Sequence, residues 1–202
     1  MDKIYIFNNS NKADNKIIDD SFAEISKLRD IDLILVDNSS KVIDEVINAS
    51  YKGHRNQVDY NEFLRYFCNM EPTLQLEATS KKLVFINQDL YSTGLNWCFG
   101  GFSRLFPGEG YIVLSTNRIN DALHLADIIG HEAGHMFNAP SYDRKNTYQS
   151  LGLHCSNELC VMQQKLTVED SIQYAYERKA KNTSMYCNEC KEDIKKYNDE
   201  IF

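Results

Sequence analysis

An α/β fold, with helices packed on a sheet, is the class this sequence predicts, and three observations carry it. "KIYIF" (3–7) and "DLILV" (32–36) are short apolar runs ending in turn-formers, and each is followed by residues at helical spacing. "KKLVFIN" (81–87) and "YIVLST" (111–116) repeat the strand pattern. Third, the apolar stretch beginning at Asn120 or Asp121 reads as a helix. Strand-helix-strand-helix order calls for a layered sheet.

Taken in order, Ile17, Ile18, Phe22, Ile25 and Leu28 place a helix over 16–28. Val42, Ile43, Val46 and Ile47 place another over 40–49. "ASYKGHRNQVD" (49–59) is polar and reads as a loop, and 60–69 as an amphipathic helix. "LNWCFGGFSRLF" (95–106) reads as strand interrupted by Gly100 and Gly101, and "PGEG" as the turn before 111–116. In the helix from Asn120 or Asp121, Gly130 and Gly134 each cost about 1 kcal/mol of propensity relative to alanine. That cost in mid-helix points to something packed close against that side. Beyond 139 the chain reads as irregular until a helix near 167–180.

The chain has 202 residues, enough for one domain with two lobes around a cleft, here 1–138 and 139–202. A net charge of −7 disfavours an extended phosphate-binding surface, so nucleic acid is not the expected partner. No apolar run reaches the ~20 residues of a membrane span, and "MDKIYIFNNS" lacks the apolar core of a secretion signal. The expected setting is the cytoplasm, without a membrane partner, and the expected state a monomer. Cysteine usage agrees, because close cysteine pairs in a cytosolic chain are more often metal ligands than disulfides. Cys68 and Cys98, in apolar surroundings, read as buried thiols.

The chemistry concentrates in "GHEAGHMFNAPSY" (130–142). Residues four apart on a helix share a face, so His131 and His135 can aim their rings at one metal ion. Glu132 lies beside that point without being a ligand, which suits a general base acting on water. His124, further back, reads as an ordinary helix histidine. Zinc commonly takes a third protein ligand in such a site. The residues alone leave three sources open: Asp143, a glutamate on the following helix (Glu169 or Glu177), or His154. Residue counting favours His154, joined directly to Cys155 of the pair Cys155-x4-Cys160. With Cys187 and Cys190 of "YCNEC", these cysteines form a loose pair and a close pair, fitting a closed, four-thiolate structural zinc site.

The run His154-Cys155-x4-Cys160-x-Met162, followed by Cys187-x-x-Cys190, resembles the tail of the archaemetzincin family, zinc peptidases of the metzincin clan. The likeness begins upstream, with "NQDLYSTGLNWCFGGFSRLFPGEGYIVLSTNRI" (87–119), and spans roughly 82–190. It implies a metzincin-like mixed twisted sheet with packed helices, an active-site helix, and a smaller C-terminal lobe stabilised by zinc. It also implies a zinc peptidase with one catalytic and one structural Zn2+, a peptide or protein substrate, and a substrate-holding edge strand near 95–104. Met162 matches the clan's methionine turn. The family's third histidine falls at Ser141, whereas His154 stands thirteen residues later. Residues 139–153 therefore read as an insertion, a surface loop costing little closure entropy. Asn138 replaces the family's glycine, and asparagine tolerates the left-handed backbone required there.

Two rival readings follow. One is a catalytically silent metal-binding protein of the same fold, serving as a peptide-binding module. The other is a nucleic-acid module around the cysteine segment, with Lys179, Lys181, Lys191, Lys195 and Lys196. Glu132 argues against the first and the acidic whole against the second.

Overall fold

Alternating burial along the strands explains the layers. Ile4, Ile6, Leu83, Phe85, Ile112 and Leu114 point into one apolar core, while Phe7, Val84, Ile86, Tyr111 and Val113 point into a second. Successive strand side chains face opposite sides, so one sheet separates the two cores. The computed structural model describes residues 1–37, 39–77, 79–105 and 109–198. Pro107 and Gly108 of the expected "PGEG" turn, and Phe106, lie outside the described residues.

The elements in chain order are β1 (Asp2–Asn9), α1 (Asn15–Ser26), β2 (Ile31–Leu35), α2 (Ser40–Ser50), β3 (Tyr51–Lys52), β4 (Gln57–Asp59) and α3 (Tyr60–Met70). There follow β5 (Lys81–Ile86), β6 (Leu90–Tyr91), β7 (Gly100–Ser103), β8 (Gly110–Ser115) and α4 (Ala122–Met136). The chain closes with β9 (Thr147–Gln149), β10 (Leu153–Cys155), α5 (Val168–Ala180) and α6 (Asn188–Lys196). Among the described residues, five strands form the main sheet in the order β2-β1-β5-β8-β7. The first four run parallel and β7 lies antiparallel at the edge, so the sheet is mixed. Helices α1 and α4 cover one face, α2 and α3 the other. None of the described helices is long and apolar enough to cross a membrane.

Four expectations need correction. The polar stretch 49–59 is not all loop: Tyr51 and Lys52 pair with Val58 and Gln57, and Val58 is buried. Among the described residues of 95–105 the strand is Gly100–Ser103, and the glycines sit within it rather than interrupting it. A Cβ on Gly100 would stand 2.1 Å from the Val113 carbonyl oxygen, so glycine is what allows this close approach to β8. Beyond 139 the chain is more regular than its polar composition suggests. The hairpin β9-β10 precedes α5, and α6 follows Cys187 directly. Cys68 and Cys98 are half-buried rather than buried, with burial raising the Cys98 thiol to about 12.

The C-terminal segment shares the core on the α1/α4 face. Met162, Met185, Tyr186, Ile194 and Tyr197 join α4 and the sheet in one apolar cluster. The two mid-helix glycines explain the contact. A Cβ on Gly130 would meet the Met185 sulfur at 2.3 Å, and one on Gly134 the Met162 sulfur at 2.1 Å. Each glycine is a notch filled by a methionine, so the propensity cost is the condition for close packing.

Candidate functional site

Helix α4 carries the first part of the site. Asp121 caps it, accepting from the His124 N–H at 3.0 Å. At its far end Asn138 takes φ +58°, its N–H donating to the His135 carbonyl, which closes the helix as a left-handed residue does. His124 is fully buried, its Nε2 3.0 Å from the Ser171 hydroxyl and its ring edge-on to Phe99, and stands apart from the other histidines.

His131 and His135 share the helix face, with Nε2 atoms 3.2 Å apart. His154 arrives on β10, its ring centroid 5.2 Å from His131 and 5.1 Å from His135. The ligand atoms of the three histidines all lie within 4.8 Å of one another. Nitrogens ~2.0–2.1 Å from a tetrahedral zinc ion stand ~3.4 Å apart, so the His131–His135 spacing fits. Outer contacts fix the rings. His131 Nδ1 lies 2.8 Å from the Val161 carbonyl and His154 Nδ1 3.1 Å from that of Gly152. With Nδ1–H donating outward, each Nε2 keeps its lone pair for the shared point.

Electrostatics suit neutral ligands. Burial, reinforced by His154, lowers His131 to about 4. Burial and the two neighbouring histidines hold His135 well below its ordinary value, and burial also lowers His154. Burial raises Glu132 to about 7, against the lowering effect of the Phe102 backbone N–H on the edge strand. These groups open on a cleft of about 790 Å³, within the range of ligand sites. Trp97, the β7 residues Gly100, Gly101 and Phe102, and Gln163–Leu166 line it together with the histidines.

The alternative third ligands lie elsewhere. Asp143, Glu169 and Glu177 are exposed and join no described metal-ligand cluster. The Ser141 N–H is drawn to Asp193 at 3.0 Å, on the side of α6.

Cys155, Cys160, Cys187 and Cys190 form the second cluster, its sulfurs also within 4.8 Å of one another. Cys155 and Cys187 are 3.8 Å apart and Cys160 and Cys190 3.6 Å. Four sulfurs ~2.3 Å from a tetrahedral zinc ion lie ~3.8 Å apart, and no disulfide is formed. Contacts among the thiols hold Cys187 and Cys155 down and push Cys160 and Cys190 up, the opposed shifts of groups that cannot all ionise together without a cation. Donors surround the sulfurs: Asn157 Nδ2 reaches Cys187 at 3.2 Å, and the Cys187 N–H reaches Cys160 at 3.4 Å.

Several contributors carried no mark in the sequence. Tyr148, on β9, lays its ring beside His154 and accepts from the Gln164 N–H at 3.0 Å. Arg144 reaches two of the sulfurs. Both belong to the supposed surface insertion, which is instead tied down at Ser141, Arg144 and Asn146 by Asp193 and Glu189.

Solved structures of similar fold are archaemetzincins and a zinc-dependent peptidase. An archaemetzincin from Methanopyrus kandleri matches with a TM-score of 0.62 at 17% identity, over 97% of this chain and 94% of that one. Another from Archaeoglobus fulgidus, complexed with malonate, matches with a TM-score of 0.55 at 23% identity, over 95% and 99%. A zinc-dependent peptidase from Methanocorpusculum labreanum matches with a TM-score of 0.61 at 15% identity, over 95% and 98%. No family model and no curated protein sequence matches the chain. The chain has the archaemetzincin fold, and the likeness extends well beyond the stretch 82–190 read from the sequence.

Proposed function

We propose that this protein is a zinc-dependent peptidase of the metzincin type, monomeric and cytoplasmic, with one catalytic and one structural Zn2+. His131, His135 and His154 hold the catalytic ion, Cys155, Cys160, Cys187 and Cys190 the structural one, and Glu132 is the general base. The observation that carries the reading is the convergence of the three imidazoles, within 4.8 Å at their ligand atoms, on the helix that also bears Glu132.

When bound, zinc supplies Lewis-acid polarisation and lowers the pKa of a coordinated water to ~7. The chain's own groups do the rest. The exposed edge of β7 pairs with an extended substrate main chain, placing the scissile carbonyl over the histidines. Glu132 takes a proton from the attacking water as its oxygen bonds to the carbonyl carbon. The same carboxyl then gives that proton to the departing amine as the C–N bond breaks. A group poised near neutrality can do both, and Glu132 at about 7 is so poised.

The test is a panel of short peptides incubated with and without a chelator, alongside metal analysis by mass. Expected are chelator-sensitive cleavage and two zinc ions per chain, falling to one in His131→Ala. Peptide binding with no chelator-sensitive cleavage would instead make the protein a silent peptide-binding module, and one ion in the wild type would remove half of the assignment.

A further inference from the structure

The segment 139–153 contributes a side chain that reaches the cysteine cluster from outside. Arg144 Nη2 donates to Cys155 Sγ at 3.2 Å, and Nη1 to Cys190 Sγ at 3.1 Å and to Asp193 at 2.9 Å. Nε donates to Asn146 Oδ1 at 3.0 Å. Its side chain is only 11% exposed, as is that of Asp193, so this is no solvated surface arginine. One face of the guanidinium thus spans β10 and α6, the two elements that bring Cys155 and Cys190 together. Cys187 and Cys160 receive neutral donors, from Asn157 and from the Cys187 backbone. Among the described residues, Arg144 is the one cationic group donating to the sulfurs.

We propose that Arg144 is a positioning residue for the four-cysteine metal site, an outer-shell fork that stabilises two thiolates on different elements and ties 139–153 to them. Donors to ligating sulfur disperse its charge and fix its direction, and outer-shell partners of this kind govern metal affinity. A fork can serve two sulfurs together, which a lysine ammonium, as a point charge, cannot. The inference rests on the structural-metal part of the proposed function and not on turnover.

Zinc competition against a chromophoric chelator tests it on the full chain, with Co2+ substitution as a second readout, since thiolate-to-cobalt charge transfer reports the cysteine site separately from the histidines. Arg144→Gln is expected to weaken the cysteine-site ion by about 10- to 100-fold, the range for loss of an outer-shell partner, and Arg144→Lys by clearly less. An affinity for Arg144→Gln within about twofold of the wild type would overturn the proposal, as would equal losses in the two variants or no thiolate band in any form. Should Arg144→Gln fail to fold at saturating zinc, Asp193→Asn, which frees the guanidinium from its anchor, decides: a several-fold loss supports the role and an unchanged affinity removes it. Absent peptide cleavage beside an intact affinity shift would count against the peptidase reading alone.

Discussion

The histidine and cysteine clusters share a strand yet differ in nearly every physical respect. Three neutral imidazoles face a cleft, with a carboxylate beside them and one side open. Four thiols, three of them buried, face one another with N–H donors beside them. A closed thiolate set holds structure together, and an open nitrogen set leaves a coordination position for chemistry. The difference teaches that the donor type and the exposure of each cluster, more than its position in the chain, assign its task.

Substitutions can break or sharpen that contrast. The largest effect is expected from Glu132→Gln: peptide cleavage falls by about 10²- to 10⁴-fold while metal content stays at the wild-type value. Steady-state assays with metal analysis check both, and a parallel loss of metal would make Glu132 a ligand instead. Cys190→Ser should act in the opposite way, as a stability change. Loss of an ion worth several kcal/mol to folding, at about 2–4 °C per kcal/mol for a chain of this size, should lower the melting temperature by about 10 °C or more.

Gly134→Ala probes the packing of Met162 against α4. The new methyl collides with the Met162 sulfur, costing about 1–3 kcal/mol, of which about 1 kcal/mol returns as helix propensity. A fall in melting temperature of about 2–4 °C per net kcal/mol is expected by thermal denaturation, and stabilisation would mean that Met162 yields freely. The smallest effect belongs to Asp143→Ala, which should leave zinc content and cleavage unchanged. A lost ion there would return Asp143 to the coordination sphere in place of His154.

Much of this arrangement was legible beforehand because long-range packing left local marks. Two glycines inside an apolar helix announced close neighbours, and both turned out to seat methionine sulfurs. Asp121 fits the start of α4 by cap chemistry, and Asn138, where the resembled family has glycine, closes its end. Other features left no such trace. Strands β9 and β10 have three residues each, too few to show alternation, and their turn places Leu151 at φ +51° ahead of Gly152 at φ +127°. Helix α6 buries only Cys190 and Ile194 among charged residues, too few to show a period. Arg144 stands in a polar stretch where arginine ordinarily faces water, so its turn inward toward sulfur could be seen only once β10 and α6 had met.

Strand β10 has one more consequence. His154 and Cys155 are neighbours whose side chains leave the ribbon on opposite sides, one toward the histidine cluster and one toward the cysteine cluster. Sliding this ribbon by a single position would exchange the two faces, presenting sulfur to the imidazoles and an imidazole to the thiols. Lengthening or shortening the chain ahead of Thr147 leaves that parity intact. A lone insertion between Leu153 and Cys155 would reverse it, and both coordination shells would be miswired at one stroke.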